Sequence, residues 1–197
     1  DLSTEWRGQR ADLKDAYYEH LDGIVNQHAL SSGNVRVLYN PMHGLGAGFL
    51  DDYLRQSDVE VVTINGGRDV YFGGGLPDPS KANLEGDVPR MIEEDCEVLI
   101  GTDGDADRFG LLDQKGHYFG ANHALPMLAD YLVRYKKMKG GVVRTVATSH
   151  VLDGVAELHG LKLTETAVGF KYVGDELRRG AMIGGEESGG ISMAGHM

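Results

Sequence analysis

Along this chain, short apolar runs rich in β-branched residues alternate with segments of helical period, and they do so in two series. Val35 to Tyr39 is the first run. The stretch Asn40-Pro41-Met42-His43-Gly44-Leu45-Gly46-Ala47-Gly48 breaks it, Phe49 to Gln56 turns helical, and Val59 to Ile64 predicts a second strand. Such a βαβ unit demands a parallel pair with a right-handed crossover. In the second series Val142 to Ala147 predicts a strand, Ser149 caps a helix running to Leu158, and Leu161 to Thr166 predicts the next strand. Lys171 to Arg178 is then helical and Ala181 to Ile183 a strand. The fold class that satisfies both series is α/β, with two small domains, each a mixed, mainly parallel sheet flanked by helices. A join near Gly120 divides the chain into 1–120 and 121–197.

Leu13, Tyr17, Leu21 and Ile24 recur at helical spacing and predict one helix between Thr4 and Ala29, with Gly33 ending the pattern. Leu84 to Glu94 predicts a helix leading into a strand, Glu97 to Ile100. The segment Gly66 to Asn83 contains Gly73-Gly74-Gly75 and Pro77-Asp78-Pro79, which predicts an irregular loop of functional length. Phe109 to Leu112 and His117 to Phe119, joined by a turn at Gln114-Lys115-Gly116, predict a hairpin. Asn122 to Lys137 is a long helix with Leu125, Leu128, Ala129 and Leu132 on one face. Three strands of the first domain thus end in loops at the carboxyl edge of their sheet, where ligands bind in open α/β sheets.

The third of those loops carries Asp103, Asp105 and Asp107 at alternate positions, diluted by Gly104 and Ala106 and followed by Arg108. Two like charges at 4 Å repel by roughly 4 kcal/mol at an effective dielectric of about 20, so an ionised cluster needs a cation. Oxygen-only ligands favour Mg²⁺, Mn²⁺ or Ca²⁺. An EF-hand loop would need Gly at its sixth position and Glu at its twelfth, where this chain has Arg108 and Gln114. A haloacid-dehalogenase-type phosphatase also sets two Asp residues two apart after a strand, but usually has Thr or Val where Asp107 stands. A solvated acidic turn is a further alternative. Arg108 either neutralises the acids or grips phosphate oxygens with its planar fork.

Gly184-Gly185-Glu186-Glu187-Ser188-Gly189-Gly190 follows a strand and joins carboxylates and a hydroxyl to flexible backbone, which suits sugar hydroxyls or an ordinary surface turn. Gly44, Gly46 and Gly48 match neither the Walker nor the dinucleotide spacing, leaving a phosphate cradle or a tight turn packed close to a helix. Lys171 opens a helix after Thr166-Ala167-Val168-Gly169-Phe170, facing phosphate or solvent. The net charge of −11 argues against a nucleic-acid surface, so a phosphate handler of this composition needs a metal or local cations. The single cysteine, Cys96, excludes an internal disulfide and is expected to be a small buried residue. Lacking an apolar run of 18 residues or a signal-like N-terminus, the chain is expected to be cytoplasmic and to have no membrane partner.

Asp103-Gly104-Asp105-Ala106-Asp107-Arg108 resembles the metal loop of the α-D-phosphohexomutases, the phosphoglucomutase/phosphomannomutase family. Gly185-Glu186-Glu187-Ser188-Gly189 is similar to that family's sugar-binding loop, and the two lie in the expected order. Thr148-Ser149 and Thr166 to Lys171 resemble turns of its third domain, and Asn40-Pro41-Met42-His43-Gly44 and Pro77-Asp78-Pro79 resemble its second. The resemblance implies that Asp103, Asp105 and Asp107 bind Mg²⁺ and that Arg108 contacts a catalytic phosphoserine. It also implies that Glu186 and Ser188 bond sugar hydroxyls, with Gly169, Phe170 and Lys171 in the same cleft.

The reaction implied interconverts hexose 1-phosphate and hexose 6-phosphate through hexose 1,6-bisphosphate. No segment like Thr-Ala-Ser-His-Asn-Pro, which holds the family's phosphorylated serine, occurs in this sequence. The chain therefore resembles the second domain and most of the third, and a portion without the first and fourth domains is expected to be inactive alone. A complete, non-catalytic module binding a divalent ion or sugar phosphate is the competing expectation. Gly190 and Ala147 stand where dual-specificity bacterial members often carry His and Lys, which favours glucose over mannose phosphate.

Overall fold

A computed structural model describes residues 11–196. The first sheet has the order β2-β1-β3-β4-β5, built from β1 (Arg36–Asn40), β2 (Glu60–Thr63), β3 (Val98–Thr102), β4 (Phe109–Asp113) and β5 (Tyr118–Phe119). β1 lies parallel to both β2 and β3, whereas β4 and β5 return antiparallel as the expected hairpin. Side chains alternate across a strand. Leu38, Leu99 and Leu112 accordingly pack on one face against Leu84 and Met91, together with the buried Cys96, while Val37 packs on the other against Leu54 and Val59. Helix α3 (Leu50–Gln56) covers the second face, and α4 (Lys81–Leu84) and α5 (Val88–Glu93) cover the first.

The second sheet runs β7-β6-β8-β9, with β6 (Gly141–Thr145), β7 (Leu163–Thr166), β8 (Ala181–Gly185) and β9 (Ile191–Met193). β6 is parallel to β7 and β8, and β9 is antiparallel to β8. Helices α6 (Ala121–Arg134) and α7 (Val151–His159) bury Leu125, Ala129, Leu132, Leu152 and Ala156 against Val142, Met182 and Ile183. α8 (Phe170–Arg178) covers the other face through Val173 and Leu177. Both sheets are mixed and largely parallel with helices on both faces, as the strand-helix alternation demands. No helix among the described residues is long and apolar enough to cross a membrane.

Several expected elements differ. The single helix expected between Thr4 and Ala29 is two, α1 (Lys14–Asp22) and α2 (Gln27–Ser32), and residues 4–10 lie outside the described ones. Gly23 ends the first, and the Asn26 side chain starts the second by accepting from the Ala29 N–H at 3.1 Å. The buried contact of α1 is Tyr18, whereas Leu13 and Tyr17 remain 70% and 43% exposed. The expected helix Leu84 to Glu94 is broken by a 3₁₀ turn over Glu85–Asp87, which contains Gly86 and precedes Pro89 at the start of the next helix. α7 starts one residue beyond His150, and Ser149 accepts from the Val151 N–H at 3.2 Å. Gly184 and Gly185 belong to β8 rather than to a loop, so the segment after them is the turn of a hairpin closed by β9.

In the second domain Arg144 is 3% exposed, and its guanidinium donates to Asp153 at 2.6 and 2.9 Å and to Glu165 at 2.7 Å. These bonds tie β6 to α7 and β7. Their first effect is to hold the Asp153 carboxyl down to about 2, with a smaller contribution from His150. A depressed carboxylate stabilises the fold above its unfolded value of 3.8, and this contribution is lost as pH falls from about 4 towards about 2. Replacing Arg144 with Met leaves the two acids without their partner. Asp153 and Glu165 are 34% and 48% exposed and water can take up part of their charge, so we expect a loss of about 1 kcal/mol in urea unfolding at pH 7, and a flatter decline of stability between pH 4 and pH 2 than in the parent.

Candidate active site at the junction of two loops

The acidic loop begins where β3 ends. Asp103, the residue after the strand, is 1% exposed. Its Oδ1 accepts from the Arg108 backbone N–H at 3.0 Å and its Oδ2 from Arg108 Nε at 2.8 Å. Between them Ala106 takes a left-handed φ of 63° and donates to the Asp103 carbonyl at 3.1 Å, closing the loop on itself. Burial works against the Asp103 charge, but the Arg108 backbone and side-chain bonds outweigh it and hold the carboxyl below its usual value. Asp107 is pushed the other way, first by burial and then by the hydrogen bond and charge of Asp103 and the charge of Asp105.

Carboxylate oxygens of Asp103, Asp105 and Asp107 lie within 4.8 Å of one another. Asp105 and Asp107 are exposed, so two of the three acids face solvent while the third is fixed. This hard, all-oxygen donor set fits Mg²⁺, Mn²⁺ or Ca²⁺. Part of what disfavours ionised Asp107, after burial, is the charge of Asp103 and Asp105, which a divalent ion at this cluster would offset.

Two neighbouring loops brace this turn through backbone. Leu45 N–H donates to the Gly104 carbonyl at 3.0 Å, and Gly104 N–H donates to the Pro77 carbonyl at 3.2 Å. A Cβ on Gly44 would stand 2.5 Å from the Gly104 carbonyl oxygen, so this glycine is required for the approach. The Gly44 to Gly48 turn is closely packed, against the acidic loop rather than only a helix. A cleft of about 500 Å³ opens beside the acids, walled by His43, Arg68, Asp69 and Phe72. Arg108 Nη1 donates to Asp78 Oδ1 at 3.2 Å.

The β8–β9 turn comes from the other domain. Glu186 N–H donates to the Gly190 carbonyl at 2.9 Å. Gly189 has φ 116°, and a Cβ there would stand 3.0 Å from Arg108 Cβ and 3.3 Å from the Phe109 nitrogen. The two loops therefore abut. Glu186 Oε1 accepts from the Gly169 N–H at 2.7 Å, and a Cβ on Gly190 would come within 3.1 Å of the Phe170 ring. Gly169 and Phe170 are thus drawn to the same turn. Ser188 is exposed at its tip, with no hydrogen bond among the described residues. The Lys171 ammonium lies over the Tyr172 ring, 4.9 Å from its centre, and makes no ion pair among the described residues.

Sequence reasoning gave no role to Asp78 and His43, although the Pro-Asp-Pro segment and the Gly-rich turn that hold them resemble segments of a phosphohexomutase second domain. Thr145 was passed over too; its hydroxyl donates to Glu187 Oε2 at 3.2 Å. A Thr at the end of a buried strand gives no signal by itself.

Fold and site together define a class: two α/β/α domains in tandem, with an aspartate loop of one meeting a Glu-Ser hairpin turn of the other. The family model described as phosphoglucomutase/phosphomannomutase, alpha/beta/alpha domain II, matches residues 15–116, and that for domain III matches 120–197. The chain belongs to the phosphoglucomutase/phosphomannomutase family.

It is 30% identical over 184 residues to a phosphoglucomutase/phosphomannomutase of Thermococcus kodakarensis, covering 93% of this chain and 40% of that protein. It is 30% identical to a phosphoglucosamine mutase of Campylobacter jejuni, covering 96% and 43% respectively. A solved structure from Thermus thermophilus, described as a putative phosphomannomutase, superposes with a TM-score of 0.86 at 34% identity, over 95% of this chain and 44% of that one. The chain therefore spans about two fifths of the length of these relatives.

The loop contact makes a specific prediction. Gly189→Ala forces a side chain into a left-handed position against Arg108, and it is expected to lower stability by about 2 kcal/mol. The amide signals of Arg108 and Phe109 should shift with it. Gly174→Ala, within α8 and facing only the end of Arg178 at 3.7 Å, is the control and should be neutral or stabilising in the same urea titration.

Proposed function

We propose that this chain is the metal-bearing and sugar-facing part of a phosphohexomutase, which interconverts hexose 1-phosphate and hexose 6-phosphate through a phosphoserine and a hexose 1,6-bisphosphate. The observation that carries the reading is the seating of the Gly189 turn on Arg108, which joins a cation-type loop to a polyol-type loop. The names of the relatives, phosphoglucomutase/phosphomannomutase and phosphoglucosamine mutase, support the reaction class.

Asp103, Asp105 and Asp107 would hold Mg²⁺, which offsets negative charge on a phosphoryl group in transfer. Arg108, fixed through Nε by Asp103, presents its remaining N–H groups to phosphoryl oxygens. Glu186 and Ser188 accept hydrogen bonds from sugar hydroxyls. Glu186 already uses one oxygen to hold Gly169, leaving the other for the sugar. Phe170 supplies an apolar wall beside Gly190, and Lys171 could turn from Tyr172 to a phosphate. The nucleophilic serine and the grip on the second phosphate are assigned to the first and fourth domains of a longer chain.

A phosphatase that attacks phosphate with its first Asp is disfavoured by Asp103, which is 1% exposed with both oxygens engaged by Arg108. A carboxylate so held is a poor nucleophile.

In a coupled assay, a longer protein containing this chain should convert glucose 1-phosphate to glucose 6-phosphate with Mg²⁺ and a trace of glucose 1,6-bisphosphate. Asp105→Asn should lower kcat by about a hundredfold, and Glu186→Gln should act mainly on KM. The described chain alone should show no turnover. Activity of the chain alone, or none of the longer protein on glucose, mannose and glucosamine phosphates, would overturn the proposal.

A further inference from the structure

We propose that Asp78 is a positioning residue that sets the plane of the Arg108 guanidinium; its consequence for catalysis rests on the reading of Arg108 as a phosphoryl contact. Asp78 lies between Pro77 and Pro79, whose rings fix their own φ angles. All three carbonyls of this segment are engaged. Pro77 accepts from the Gly104 N–H at 3.2 Å, Asp78 from Asn83 Nδ2 at 2.8 Å, and Pro79 from the Tyr118 hydroxyl at 3.0 Å. The segment also presses on β4, since a Cβ on Gly110 would stand 2.0 Å from the Pro79 oxygen. The strap is therefore rigid where its carboxylate leaves the backbone.

That carboxylate meets Arg108 at Nη1, 3.2 Å away, while Asp103 holds Nε at 2.8 Å. A guanidinium has five N–H donors in one plane. With two of them held by acids on different segments, the plane is fixed and Nη2 has no partner among the described residues. The side chains of Asp78 and Arg108 are 43% and 37% exposed, and an ion pair so open to water adds little stability. Its effect is orientation. A fork fixed in advance loses less freedom when it closes on a planar or trigonal oxyanion, and small misplacements are costly in rate.

The test has two arms. In ¹⁵N-labelled protein, the side-chain signals of Arg108, assigned by their loss in R108K, should show restricted rotation and a slowly exchanging Nε–H. D78N should broaden or average the Nη signals with the thermal midpoint unchanged, and D78E should recover them; D78S tests the same point if D78N does not fold. In the longer enzyme, D78N should lower kcat for glucose 1-phosphate about tenfold with KM changed less than twofold. Made in an R108K background, it should lower kcat no further. Arg108 signals indifferent to Asp78, or a D78N loss that persists in R108K, would overturn the assignment. If the longer protein proves to be no mutase, the spectroscopic arm still decides whether Asp78 fixes Arg108.

Discussion

A carboxylate removed from water is costly unless charge and hydrogen bonds replace the lost hydration. Asp103 is such a group, and Arg108 supplies the replacement from both its backbone and its side chain. The pairing closes the turn after β3 into a rigid loop with two further acids on its outer side. Three other segments then pack on that loop by backbone or glycine contact: the turn at Gly44, the strap at Pro77 and the hairpin at Gly189. At Gly44 and Gly189 the approach leaves no room for a Cβ, and at Pro77 it is held by a hydrogen bond, so each depends on the loop keeping its shape.

The chemistry follows from the same arrangement. An acidic chain repels phosphate at long range. At the junction, however, the guanidinium of Arg108 and a cation held by the three aspartates would offset the charge of the acids and offer cationic contacts to phosphoryl oxygens. The hairpin turn of the second domain adds oxygen acceptors beside it, with Glu186 anchored on the Gly169 N–H and Ser188 open to solvent. On the proposed reading the Arg108 side of this junction would take phosphoryl oxygens and the hairpin turn hydroxyls. Parallel strand order places the carboxyl ends of β1, β2 and β3 on one edge, which is why loops distant in sequence meet there.

The strand alternation and the aspartate spacing were legible in the sequence because each rests on a local period. Val35 to Tyr39, Val98 to Ile100 and Leu163 to Thr166 are runs mostly of apolar or β-branched residues, and a strand reading follows directly. The break between α1 and α2 was hidden because Leu21 and Ile24 continue the helical spacing across Gly23, while capping by Asn26 decides the boundary. β9 was missed because Ile191 to Met193 is too short to show alternation, and its pairing with β8 is a tertiary fact. Asp78 was invisible as a partner of Arg108, 30 residues away. Such contacts depend on how the loops fold over the sheet edge, which no local pattern encodes.

The central claim is that the buried Asp103, with Asp105 and Asp107, forms a divalent-cation site facing the Glu186 turn. X-ray diffraction from crystals soaked in Mn²⁺, collected at a wavelength where manganese scatters anomalously, tests it most directly. One strong anomalous peak about 2.1 Å from oxygens of the three aspartates is the predicted result. A loop without a peak in crystals that carry manganese elsewhere would contradict it.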